Sequence, residues 1–392
     1  MGYSSILDWV KFNDPMLNEF YAYKVYNLPY DIGYKLWELI GGALAWLINL
    51  IFPGNGFSVT LISSDLLSNF FAIVFMVVVI FAVAFLINLT MIWEERKVLG
   101  RMMDRRATRI GPLGYLQNLA DGLKTFLKEN ITPDKADKKG YMWALTLVIG
   151  TSVLLACMIP LSHRWFIVDY NTGLLLIFGL FAIAPFMILV AGWAQNNKYS
   201  LLGGMRAAAQ MISYEVPILL VFASVALMAG SFNINDIVNM QAETMWFIIP
   251  QILGFLVFIV AAIAEAERIP FDLPEAEAEL VEGWQTEYSG MKWGLIMLGD
   301  YFRGYVACAL IVILFLGGWY LPFFDVGMQQ DWLPEIVFLL KVFLVFFVFI
   351  WVRAAHCRVR TDQILNIGWK VLLPLSVINL VIAAVITYGG WL

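Results

Sequence analysis

Cysteine and histidine are almost missing from this sequence, with three of the first and two of the second in 392 residues. Cys157 and Cys308 lie in apolar runs and Cys357 in a basic turn, so no pair stands at the spacing of a disulfide framework, a redox couple or a metal knuckle. His163 and His356 are far apart and lack companion ligands, which leaves no metal site in the pattern. Charge is scarce too: 14% of the residues are Asp, Glu, Lys or Arg, where a soluble domain carries about 25%. Low-complexity stretches and internal repeats are absent, and Met1 to Tyr30 has no basic segment followed by an apolar one, as a cleavable signal would.

What is abundant is apolar matter, 61% of the chain, with a mean hydropathy of +0.77. A soluble fold of this length could not cover so much apolar surface with so few polar residues, so the excess must face the lipid bilayer. The expected fold class is therefore all-α, a polytopic membrane protein. A crossing helix needs roughly 20 mainly apolar residues, and about eight such runs are present. They are Leu66 to Trp93, Tyr141 to Leu161, Thr172 to Trp193, Ile212 to Gly230, Met245 to Ala264, Gly304 to Phe324, Pro334 to Val352 and Trp369 to Tyr388. Residues 1–65 form an N-terminal extension. Within it Leu36 to Phe52 is short, carries Glu38 and ends in Pro53-Gly54-Asn55-Gly56, and it reads as interfacial rather than as a ninth crossing. Residues 66–392 form an eight-helix membrane domain, with loops at 94–140, 194–211, 265–303 and 353–369.

The net charge of −5 says less than the sidedness of the bases. Twenty of the 25 Lys and Arg residues fall on one side when the eight spans alternate, eleven of them between Arg96 and Lys139. By the positive-inside rule that side, which carries the long loops, is cytoplasmic, and the chain belongs in the cell inner membrane. No nucleic-acid partner is expected.

Three of these loops hold the chemistry. In the first, Leu116, Leu119, Leu123, Phe126 and Leu127 recur near helical spacing with Asp121, Lys124 and Lys128 between them, as in an amphipathic helix lying on a membrane. A plain basic anchor for lipid headgroups is the simpler reading of the same charges. The second loop leads into a span through Ser213-Tyr214-Glu215-Val216-Pro217. A carboxylate there costs about 2.5–3.5 kcal/mol if central and ionised, and less near the interface, so Glu215 should be neutral, paired or facing an aqueous cavity, the plainer alternative being an interfacial Glu that reaches to headgroups. The third is the most informative: Glu265, Glu267, Asp272, Glu275, Glu277, Glu279 and Glu282 stand against a single base, Arg268. Pro270 and Pro274 forbid one continuous helix, and Pro274 can open a new one on which Glu275, Glu279 and Glu282 share a face. In water such a run is a solvated face. Beside a membrane, crowded carboxylates cannot all stay ionised, and groups poised in this way can relay protons.

These residues carry a specific resemblance. Glu95-Arg96-Lys97-Val98-Leu99-Gly100, Gly111-Pro112-Leu113-Gly114 with Asp121-Gly122-Leu123-Lys124, Asn197-Lys198-Tyr199-Ser200 with Ser213-Tyr214-Glu215-Val216, and Arg268-Ile269-Pro270-Phe271-Asp272-Leu273-Pro274-Glu275-Ala276-Glu277 with Glu287-Tyr288-Ser289-Gly290 are similar to the motifs of the NuoH family, a membrane component of respiratory complex I (NADH:quinone oxidoreductase). Gly317-Gly318-Trp319 and Asp362-Gln363 with Gly368-Trp369-Lys370 extend the likeness, which runs from about Leu66 to the C-terminus.

The resemblance implies an eight-helix core forming much of a quinone chamber and the entry of an acidic proton route. Quinone would be the substrate, with no metal, flavin or iron–sulfur centre bound by this chain. The partners would be the peripheral arm and the neighbouring membrane subunits of a complex I-like assembly. Matching motif positions assign the quinone chamber to Glu95, Arg96, Asp121, Lys124, Arg268, Asp272, Glu287 and Tyr288. They assign the proton route to Glu215, Glu265, Glu267, Glu275, Glu277, Glu279 and Glu282. Two departures stand out: Arg106 to Gly111 is a residue shorter than the family pattern, and Glu267 stands where many members have Asn. They point to a divergent member, of an archaeal-type or deazaflavin-linked complex. The competing readings are the homologous subunit of a membrane-bound energy-converting hydrogenase without quinone, and an independent secondary transporter.

Overall fold

The computed structural model of the chain describes residues 29, 31–37, 65–167, 169–272, 277–321 and 333–390, with backbone alone at 65–69, 277 and 278. Most of the Leu36 to Phe52 segment lies outside the described residues, as does Glu275. The helices are α1 (Asp65–Met102), α2 (Leu116–Leu127), α3 (Lys138–Met158), α4 (Gly173–Phe181), α5 (Ile183–Ala194), α6 (Lys198–Ala229), α7 (Ile234–Glu243), α8 (Ile252–Glu265), α9 (Glu277–Leu280), α10 (Met291–Phe315), α11 (Leu333–Ala355), α12 (Thr361–Asn366) and α13 (Leu373–Tyr388). No strand occurs among the described residues, and the protein is an all-α polytopic membrane protein.

Among the described residues, seven helical stretches are long and apolar enough to cross a bilayer, α4 with α5 counting as one and α12 with α13 as another. The eighth expected run, Met245 to Ala264, is represented by the shorter α8. Three boundaries differ from the sequence reading, the first being that of α1, which runs on to Met102 and carries Glu95 and Arg96 in a helix rather than in the loop at 94–140. The sixth crossing starts at Met291 rather than Gly304, which takes Lys292, Asp300 and Arg303 out of the expected loop and into a helix. The second loop is helical from Lys198, so little of 194–211 remains a loop. Asn197 explains that early start: its side chain accepts a hydrogen bond from the Tyr199 amide at 3.1 Å and caps the helix.

Contacts divide the chain into two units, residues up to Ala84 with Pro160–Asp169, and Phe85–Ile159 with Tyr170 onward. In the first, Tyr34, Ile73 and Ile167 pack on Ala72, Met76 and Ile80. In the second, α10 is the most enclosed helix, buried along nearly its whole length between α3, α8 and α11. Its partner in the core, α6, packs against α5, α8 and α13. One set of polar groups inside the bundle satisfies itself by mutual hydrogen bonds, as apolar surroundings favour. Ser224 donates to Gln251 at 3.0 Å, and Asn379 donates to Ser224 at 2.9 Å while accepting from the Gly254 amide at 3.0 Å. At the end of α10, the Lys341 ammonium donates to the carbonyls of Leu316, Gly318 and Tyr320 at 2.7, 2.8 and 2.5 Å.

Candidate functional site

The site grows from the two acidic ends of the sequence reading, the close of α1 and the segment after α8. Glu95, buried near the end of α1, accepts hydrogen bonds from two guanidiniums, that of Arg268 at 3.1 Å and that of Arg353 on α11. Arg268 also lies over the Tyr301 ring, 4.2 Å from its centroid. The next residue, Arg96, pairs with Asp121 on α2 and donates to Asn118 at 3.4 Å. Asn118 in turn donates to the Leu89 carbonyl at 2.9 Å, so α2 is tied to α1 through polar side chains. The leucines of α2 and Phe126 are exposed, with Lys124 among them, as the amphipathic pattern predicts.

Between these elements lies a cavity of about 650 Å³, within the range of small-molecule sites. Glu95 and Tyr301 line it together with Arg96, Arg105, Arg106, Arg109 and Arg353, so its wall is strongly basic.

The segment after α8 is pinned on both sides. Gln210 of α6 donates to the carbonyls of Ala264 and Phe271 at 3.0 and 2.7 Å, and the Val359 amide donates to the Pro270 carbonyl at 3.1 Å. Arg358 donates to Asp272 at 2.9 Å. Held in this way, the segment keeps Glu265 and Glu267 buried. Glu265 is 2% exposed, and neither of its oxygens has a hydrogen-bond partner among the described residues. Glu215 of α6 lies within electrostatic reach of it. Glu267 is buried with its backbone at φ 50, a left-handed conformation uncommon for a side-chain-bearing residue. Burial raises its pKa to about 8, an effect that Arg303 opposes and that Asp300, Glu265 and Asp272 reinforce.

The far half of the acidic loop behaves differently. Val281 at φ 66 ends helix α9 after Leu280, so the single helix expected to carry Glu275, Glu279 and Glu282 on one face does not form. Glu279 is exposed and pairs with Arg206 at 2.6 Å, and Glu282 is exposed beyond the helix. Glu277 falls on α9. Glu287 accepts from the Asn197 side-chain amide at 2.8 Å, while the stacked rings of Tyr141 and Tyr288 lie 4.3 Å apart with the Tyr288 hydroxyl donating to the Tyr141 carbonyl at 3.1 Å. Gln195 ties the same turn down by donating to the Trp284 carbonyl at 2.5 Å.

The structure therefore brings Glu95 together with Arg268, Arg96 with Asp121, and the buried Glu265 and Glu267 together beside the half-buried Glu215, and it leaves Glu279 and Glu282 at the surface. Sequence reasoning passed over Arg353 and Arg358, which hold two of the acids, and Asp300 and Arg303, which face Glu267. The last two did leave a signal, an acid and a base three residues apart in an apolar stretch, as on one face of a helix. Among the described residues no three His, Cys, Asp or Glu side chains stand as a metal-holding group.

Residues 74–384 match the family model described as NADH dehydrogenase. The chain belongs to this family. Its curated relatives are named as the NuoH component of NADH-quinone oxidoreductase. That from Paramagnetospirillum magneticum is 46% identical over 305 residues, 76% of this chain and 88% of the relative. That from Geobacillus thermodenitrificans is 46% identical over 302 residues, 75% and 88%. That from Bacillus cytotoxicus is 42% identical over 332 residues, 83% and 96%. The family likeness reaches the end of α1, the α2 helix and the acidic loop, the elements that build the site.

Proposed function

We propose that this chain is the membrane subunit of a proton-translocating, complex I-like quinone oxidoreductase, where it forms much of the quinone chamber and the entry of the acidic proton route. The single observation that carries the reading is the buried pair Glu265 and Glu267, with the half-buried Glu215 beside Glu265, on the segment that Arg268 and Glu95 tie to the basic cavity. The chain acts as a translocase component without a redox centre of its own, with its site loops on the cytoplasmic face of the cell inner membrane. It works beside the peripheral arm and neighbouring membrane subunits.

Each group has work to do in that role. A quinone undergoing reduction gains negative charge and takes up protons. The guanidiniums of Arg96, Arg105, Arg106, Arg109 and Arg353 around the cavity favour that charge, and the Arg268 bridge places it in electrostatic contact with the carboxylates behind. A carboxyl whose pKa lies near the ambient pH answers a change of field by binding or releasing a proton. Glu287 and Tyr288 fix the loop end through Asn197, Gln195 and Tyr141, so the movement of charge is not dissipated in loop motion.

Glu215→Gln and Glu277→Gln in the assembled complex should impair quinone-dependent proton pumping while electron entry into the peripheral arm persists. Unaltered pumping in both would overturn the proposal. The hydrogenase reading is the less favoured because the relatives at 42–46% identity are named as quinone oxidoreductase subunits. Labelling by a quinone analogue at the second or third loop separates the two.

A further inference from the structure

Arg303 uses little of its hydrogen-bonding capacity for a guanidinium that is 1% exposed. Its Nη2 donates to Asp300 one turn back on α10, its Nη1 faces only the Met211 sulfur at 4.0 Å, and its Nε has no partner among the described residues. The same Nη2 stands 3.9 Å from Glu267 Oε2, and both Glu267 oxygens lack hydrogen-bond partners among the described residues. The guanidinium and the unpaired Glu267 carboxyl therefore face each other just outside hydrogen-bonding distance, a condition that buried groups rarely keep. Movement of about 1 Å brings them into range.

We propose that Arg303 is a positioning residue whose guanidinium passes between Asp300 on α10 and Glu267 on the acidic loop as Glu267 regains and loses its proton. The proposal rests on the acidic proton route described above and gives that route a moving part. With Glu267 neutral, the Arg303 guanidinium belongs to Asp300, which is the arrangement in the structure. With Glu267 ionised, two buried carboxylates compete for one guanidinium, and its free Nε and Nη1 donors let it turn without leaving Asp300 altogether. The loop that carries Glu267 is pinned by Gln210 and by the Val359 amide, so the guanidinium is the part that moves. The groups facing Glu267 are Arg303 and Asp300 from α10, Glu265 from the end of α8, and Asp272 on its own loop, which Arg358 holds.

The titration of Glu267 tests the arm directly. In the intact complex in lipid, infrared spectroscopy follows the protonated carboxyl band that disappears in Glu267→Gln, against pH and without turnover. Arg303→Gln removes the cation and should move the midpoint up by about one pH unit or more. Asp300→Asn removes the competing anion, frees the guanidinium for Glu267 and should move the midpoint down. Opposite shifts support the arm. If Arg303→Gln fails to assemble, Asp300→Asn decides alone, because an unchanged or raised midpoint overturns the proposal. It also falls if Glu267→Gln removes no band at any pH at which the complex stays assembled. Since the band is read without turnover, its outcome is separate from that of the pumping assay on Glu215 and Glu277.

Discussion

Glu95 on α1 accepts a hydrogen bond from Arg353 on α11, 258 positions further along the chain. With Arg268 on the other side of the same carboxylate, three segments distant in sequence meet on one charge. The pairing joins the wall of the basic cavity to the acidic loop.

Removing one member of such a buried group strands the others, at a cost of about 3–5 kcal/mol. Glu95→Gln leaves two guanidiniums facing a neutral amide. It should reduce the amount of assembled complex recovered from membranes, lower its melting temperature and raise the KM for quinone. A variant with the parent's assembly and KM would show the ion pair to be idle.

Glu267 supplies a dependence on pH. Burial holds its pKa at about 8, above its ordinary value of 4.5. Between those two values the folded protein keeps a proton that the unfolded chain has released, so stability falls as pH rises through that window and is fully present below it. Glu267→Gln cannot ionise and removes this slope. Thermal unfolding of the solubilised protein against pH should show parent and variant diverging above about 4.5, with the variant gaining as the pH rises towards about 8; parallel curves would contradict the assignment.

Gly203 lies against the backbone of the loop it supports. A Cβ there would stand 2.6 Å from the Gly283 Cα and 2.7 Å from the Trp284 nitrogen, and neither can yield as a flexible side chain would. Gly203→Ala should cost about 1–3 kcal/mol through overpacking. The displaced turn should loosen the Gln195 bond to Trp284, raising hydrogen exchange from Gly283 to Tyr288. Unchanged exchange there would refute the close approach.

Lys341, by contrast, sits in the core of α11 and holds the end of α10. Lys341→Met removes three hydrogen bonds to carbonyls and the ammonium 4.7 Å from the Trp246 ring. It should lower the melting temperature, with a loss on the order of 1–3 kcal/mol, and leave the pH dependence of quinone reduction unaltered. A shifted pH profile would instead bring Lys341 into the proton route.

Much of this architecture is legible in the chain itself. The spans follow from run length, because the bilayer sets a fixed demand on consecutive apolar residues. The α2 helix follows from its period, and the family from ordered motifs. Boundaries were harder: Asp300 and Arg303 read as loop residues because charge ordinarily marks a span's end, whereas here they satisfy each other inside a helix. Glu282 read as helical because nothing local reveals that Val281 adopts a left-handed conformation.

The sequence by itself determined that this is an all-α membrane protein, which loops hold its acids, and to which family it belongs, since each rests on composition, period or contiguous motif. Only the tertiary structure decided which acids matter to one another. It buried Glu265 and Glu267, gave Glu95 its two arginines, and left Glu279 and Glu282 at the surface. The reason is that a carboxylate's state depends on burial and on charges within a few ångströms, and those neighbours come from helices hundreds of residues apart.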